Sequence, residues 1–148
     1  MILALDLGNN LGYCYREKRR RTIVFGVCDL SSKEDGGQYG KFEEVLSSFN
    51  SICKITKIYY ERVDFVSYTY AYRSYAGFLG VLKKFASENN IELHGMPIKR
   101  VKKFFTGNGN ASKMQMQVKA EEKTNSEILD DNIADAIGIY YTGTHYYG

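Results

Sequence analysis

An α/β fold built on a mixed sheet is what this chain of 148 residues predicts, and three observations carry it. An apolar run, Met1-Ile2-Leu3-Ala4-Leu5, opens the chain and stops at Asp6. Two further short segments rich in β-branched and aromatic residues follow closely. From Phe42 onward, helical periods alternate with short apolar runs until the C-terminus.

In order, residues 1–6 read as a buried strand. Residues 11–16 and 22–28 read as strands by composition, with Arg16 to Arg21 as their polar connection, and the three lie close enough for an antiparallel meander. Residues 31–37 are a loop of Ser, Gly and charge. Phe42, Val45, Leu46, Phe49 and Ile52 recur at three and four, which places a helix over 38–54. A strand is expected at 56–61. A helix over 74–88 carries Tyr75, Phe78, Leu79, Leu82, Phe85 and Ala86 on one face. Ile91 to His94 is a short strand, and Lys99 to Phe105 a short basic helix that ends at Gly107-Asn108-Gly109-Asn110. A further helix runs from Ala111 to about Lys119, residues 121–126 are polar and exposed, and 130–142 form the last helix. The helix over 38–54 can cross over and return strand 56–61 parallel to strand 1–6, about 4.8 Å away.

The length predicts one domain spanning 1–148, with enough chain for a substantial core. No apolar stretch reaches the roughly eighteen residues of a membrane span, and the N-terminus lacks the pattern of a secretory leader. Cys14, Cys28 and Cys53 are odd in number and far apart, and no CxxC pair or His cluster accompanies them. This predicts neither a disulfide framework nor a zinc site, and a reducing, cytoplasmic setting. The net charge of +3 is small, but it is unevenly placed, with clusters at Lys18-Arg19-Arg20-Arg21 and at Lys99-Arg100-Lys102-Lys103. Each cluster is either a solvated face or a set of phosphate contacts.

Three acids stand in unusual contexts. Asp6 and Glu61 each end a buried run, and Asp135 lies among Ile133, Ala134, Ala136 and Ile137. A buried carboxylate is costly without a positive partner, so three of them in one small domain suggest a divalent cation held by oxygen. Strand adjacency brings Asp6 and Glu61 side by side, and the last helix adds Asp135, so the three should converge within a few ångströms. Asp131 and Asn132 share the face of Asp135 at spacings of four and three. Asp130 and Asp131 are also ordinary acids for a helix start. Asp6-Leu7-Gly8-Asn9-Asn10-Leu11-Gly12 is a turn by composition, and the chain is too short for a two-domain ATPase built around such a turn.

These segments carry a resemblance. Ile2 to Gly8, Tyr60-Glu61-Arg62-Val63, Val101-Lys102 through Ala111-Ser112-Lys113-Met114-Gln115-Met116-Gln117, and Ala134-Asp135-Ala136-Ile137 resemble, in order and over nearly the whole chain, the RuvC-type Holliday junction resolvases, including their bacteriophage branch. That family belongs to the ribonuclease H-like superfamily, which implies a five-stranded mixed sheet flanked by helices. The resemblance further implies a homodimeric endonuclease that cuts branched DNA with Mg²⁺, Mn²⁺ substituting, by two-metal hydrolysis. In a phage, it would act in the cytoplasm of the bacterial host. Asp6, Glu61 and Asp135 match the family's metal-binding carboxylates, and Lys102 and Lys113 its two basic positions. Two positions depart from the pattern: Leu7 stands where Pro is common, and Asn132 where a fourth acid is common, with Asp131 just before it. The fourth ligand is then Asn132 through its carbonyl or Asp131 through water.

Between Tyr59 and Tyr75 the chain is rich in aromatics, and a loop carrying Phe65, Tyr68, Tyr70 and Tyr72 is hard to bury. Opened bases can stack on such rings, at about 1–3 kcal/mol each. Phe65 and Tyr68 are the candidates for this contact, since the family places an aromatic near the junction centre soon after the matching Glu. The apolar face over 74–88 suits either core packing or a helix paired across a twofold axis through Phe78, Leu82 or Phe85. Two other functions fit the same pattern: a related nuclease acting on forks, flaps or RNA–DNA hybrids, and a non-catalytic DNA-binding module of the same fold.

Overall fold

A computed structural model describes residues 1–64 and 69–148. Five strands form one sheet in the order β3-β2-β1-β4-β5: β1 Ile2–Asp6, β2 Asn10–Arg16, β3 Val24–Asp29, β4 Lys57–Arg62 and β5 Glu92–Pro97. β1, β2 and β3 pair antiparallel, as a meander with short connections must. β1–β4 and β4–β5 pair parallel, which requires crossovers, and α1 Gly37–Ile52 and α2 Tyr70–Asn89 provide them. The remaining helices are α3 Ile98–Thr106, α4 Lys113–Thr124 and α5 Asp131–Tyr147. Among the described residues, no helix is long and apolar enough to cross a membrane.

Alternation along the strands divides the core into two layers. Leu3, Leu5, Ile58 and Tyr60 face α1 and α2, where they meet Phe42, Leu46, Phe78 and Leu82. Ala4, Cys14 and Tyr59 point to the other face, with Val101 of α3, Met116 of α4 and Ile137 of α5. Strands covered on both sides must be apolar on both, which is why β1 and β4 read as continuous hydrophobic runs.

Element boundaries differ from the sequence expectation where a local cap decides them. α2 begins at Tyr70, because the Thr69 hydroxyl accepts the Tyr72 amide at 3.3 Å as an N-cap. Tyr70 and Tyr72 therefore lie in the first turn of a helix and not in a loop. Phe65 and Tyr68 lie outside the described residues. α4 continues past Lys119, where the sequence predicts its end, and stops only where Asn125 turns left-handed, at φ 52°.

α2 also settles how its apolar stripe is used. Phe78 and Leu82 are fully buried within the chain and Phe85 and Ala86 nearly so. The side chains expected to pair across a twofold axis are core instead. Leu82→Asp would place an unpartnered carboxylate in that core, so the expected result is an unfolded chain rather than a folded monomer. Loss of the cooperative thermal transition is the check.

Candidate active site

The geometry of the acids follows from strand register. Leu5 pairs with Tyr60 across β1 and β4, so Asp6 and Glu61 are the next residues on neighbouring strands. Both follow the alternation of Ala4 and Tyr59, which belong to the layer under α5. The two carboxylates thus end their strands on the face where α5 begins.

α5 starts with three acids in different roles. Asp130 is its N-cap, with Oδ1 accepting the amides of Asn132 at 2.8 Å and Ile133 at 3.4 Å. Asp131 forms an ion pair with Lys113, the first residue of α4, at 3.3 Å. Asp135, one turn further on, lies on the same side of the helix as Asp131. Lys113 itself is held in place by helix α4, whose start is fixed by a reciprocal capping box between Ser112 and Gln115.

Burial and mutual repulsion leave these acids reluctant to ionise. Asp6 is pushed up to about 8, first by burial and then by the charges of Asp135, Glu61, Asp131 and Asp130. Burial and then Asp135 raise Glu61 to about 7, against the pull of Lys102. Asp135 is raised to about 6 by burial and Asp131, opposed by Lys102 and Lys113. The structure therefore places Asp6, Glu61, Asp131 and Asp135 in one another's electrostatic field, with Lys102 and Lys113 facing the same acids. Among the described residues no group of three or more acid, His or Cys side chains is placed to hold a metal ion, so the close convergence of Asp6, Glu61 and Asp135 expected from the sequence is met only as mutual electrostatic influence.

Two residues important to this arrangement escape a sequence reading. Gly12 pairs with Asp6, and its α-carbon lies against the backbone of Asn132. A Cβ at residue 12 would stand 2.6 Å from the Asn132 carbonyl carbon and closer still to its oxygen. Only glycine lets the start of α5 come this close to the strand beside Asp6. Asn132 is thereby set over the residue paired with Asp6, while Asp131 is turned toward Lys113. Tyr75 is the second residue. Its hydroxyl donates to the Glu61 carbonyl at 2.8 Å and accepts the Val63 amide at 3.2 Å, tying the end of β4 to α2. A glycine in a strand and a tyrosine in a helix are signals too common to single out either.

The donor chemistry suits a hard divalent cation. Every candidate ligand is oxygen, and a cation would offset the burial and mutual repulsion that raise three of the carboxyls.

Comparison with known proteins places this geometry in a fold. No family model and no curated protein matches the sequence. Solved structures do match. Thermus thermophilus RuvC superposes with a TM-score of 0.77 at 18% identity, covering 98% of this chain and 93% of that one. The same protein in complex with a Holliday junction substrate gives a TM-score of 0.81 at 17% identity, with the same coverage. The fowlpox virus resolvase, solved with Holliday junction DNA, gives 0.60 at 14% identity over 97% of this chain and 99% of that one. The chain has the RuvC-type resolvase fold, a five-stranded mixed sheet with helices of the ribonuclease H-like kind.

Proposed function

We propose that this protein is a divalent-metal-dependent endonuclease that resolves four-way DNA junctions. The observation that carries the reading is the grouping of Asp6, Glu61, Asp131 and Asp135, from two strands and one helix, within electrostatic reach of one another and of two lysines. Its occurrence in the fold of proteins solved with junction DNA supports branched DNA as the substrate.

Asp6, Glu61 and Asp135 would hold Mg²⁺, or Mn²⁺ in its place, with Asp131 or Asn132 as the fourth contact. When bound, such ions would supply activation of the attacking water and charge stabilisation at the leaving oxygen. The chain's own residues supply position and charge. β1 and β4 fix two carboxylates at strand ends, where the backbone ladder leaves them little freedom. Lys102 and Lys113 offset the negative charge that a phosphate would otherwise meet, and Lys113 can neutralise charge developing on its oxygens. Phe65 and Tyr68 would stack on opened bases.

Lys113→Ala is expected to slow cleavage by about 10²-fold. The fold should be little affected, because the Lys113–Asp131 pair is exposed and such pairs contribute at most about 1 kcal/mol. Single-turnover cutting of pre-bound junction is the measurement. Weaker binding with an unchanged rate for bound junction would make Lys113 a backbone contact instead.

Two cuts are needed to resolve a junction, and the described residues carry one acidic cluster, so the working unit is a homodimer. Because Phe78, Leu82 and Phe85 are turned inward, pairing uses another surface. Sedimentation at micromolar concentration tests this. The function itself is tested by offering a four-way junction, a fork, a flap and an RNA–DNA hybrid side by side with Mg²⁺. Preferential paired cuts in the junction are expected. Preference for another substrate would reassign the nuclease, and no cutting of any would leave a binding module.

A further inference from the structure

Charge is concentrated at the end of the sheet opposite the acids. Residues 16–21 hold five cations, Arg16, Lys18, Arg19, Arg20 and Arg21, against one anion, Glu17. Their net +4 exceeds the +3 of the whole chain, so the other residues sum to −1. The β1–β2 register shows how far this turn lies from the site: Ile2 pairs with Arg16, while Asp6 pairs with Gly12 at the other end. At about 3.3 Å per residue, those ends are about 13 Å apart. The cations are therefore not counter-charges for the acidic cluster.

Little within the chain neutralises them. Glu17 contacts Arg20 at 3.3 Å in a surface pair, which contributes little to stability. Among the described residues, no carboxylate lies within ion-pair distance of Arg16, Lys18, Arg19 or Arg21. The side chains line two adjoining cavities. One, of about 390 Å³, is bounded by Arg16, Lys18, Arg20 and Arg21 with Tyr140 of α5. The other, of about 380 Å³, shares Arg16, Arg21 and Tyr140 and adds Lys123 of α4. Lys123 is itself set 5.4 Å above the ring of Tyr141.

We infer that this basic end of the sheet is a second nucleic-acid contact, gripping the sugar–phosphate backbone of a duplex arm away from the point of cutting. Four of the five cations in the turn are arginines, whose planar fork fits phosphate oxygens in pairs. Two cation-lined hollows side by side suit successive phosphates along a strand. A contact made through charge to the backbone carries no sequence information, so it adds affinity and orientation without base preference. The ligand rests on the proposed action on DNA, but the contact can be tested without any cleavage.

The test is binding of an unbranched DNA duplex in chelator, followed by fluorescence anisotropy from about 50 to about 200 mM salt. The double variant Lys18→Glu with Arg21→Glu should lose about tenfold or more in affinity. Its slope of log K against log salt should fall by about 2, since each phosphate contact contributes about 0.9. Lys18→Gln, which removes one charge and adds none, should take about 0.9 from the slope. An unchanged affinity and slope in both variants would overturn the contact. Retained duplex binding with lost binding of poly-glutamate would also overturn it, in favour of an acidic protein partner. If the protein cuts no branched DNA yet the variants lose duplex affinity, the proposed function fails and this contact stands. If junctions are cut and the slopes do not move, the contact alone fails.

Discussion

Asp6→Asn should abolish cutting, by at least about 10³-fold, while junction binding persists and the fold becomes more stable. Loss of activity follows from removing a carboxylate at the centre of the site. Binding persists because backbone phosphate contacts dominate affinity for DNA. The gain in stability follows from linkage. The Asp6 carboxyl titrates near 8 in the folded chain against an ordinary 3.8. Between those values, the folded chain keeps a proton that the unfolded chain has released. Stability is thus full below about pH 4 and falls as pH rises toward 8. Asn carries no such charge. The variant should therefore exceed the natural protein by about 2 kcal/mol or more at pH 8, and by little at pH 4. Denaturant curves in chelator at both pH values, beside a single-turnover cleavage assay, measure the two effects. A variant that loses stability at pH 8 would mean that Asp6 is not held among the other acids.

The second large effect is expected at a residue with no chemistry of its own. Gly12→Ala should cost about 1–3 kcal/mol, because the new methyl meets the Asn132 carbonyl and the start of α5 must move. Cutting should fall by about 10²-fold, since α5 carries Asp131 and Asp135 and a displacement of about 1 Å is enough for such a loss. Gly8→Ala is the internal control. It lies in the turn between β1 and β2, nothing stands within 4 Å of its would-be Cβ, and it should be close to neutral. Equal behaviour of the two variants would show that the approach of α5 to β2 does not position the acids.

Much of the fold was legible because each strand covered on two faces leaves an unbroken apolar run, and each helix covered on one face leaves a periodic stripe. Asp6 and Glu61 were legible as interruptions of such runs, and Asp135 as an acid in an apolar helix. What a stripe does not reveal is its partner. The face of α2 reads alike whether it meets Phe42 and Leu3 or a second copy, and here it meets the core. The starts and ends of α2 and α4 turn on single groups, the Thr69 hydroxyl and the left-handed Asn125, whose effect depends on the backbone around them. The approach of Gly12 to Asn132 joins residues far apart in sequence, so no local pattern marks it. The same holds for the choice between Asp131 and Asn132, which depends on how α5 is rotated against β2.

α5 touches all five strands as well as α3 and α4, and its opening turns carry the acids. The most interior helix and the reactive end are thus one cooperative unit. Amide hydrogen exchange in its middle turns should proceed only through global opening, with no separate, cheaper excursion that releases the acids. Damage anywhere along this helix, even as far from the acids as Gly143, packed on Tyr59, would then register as lost activity in proportion to lost folded protein. Survival of function under random substitution would trace thermodynamic stability here more closely than distance from the acids.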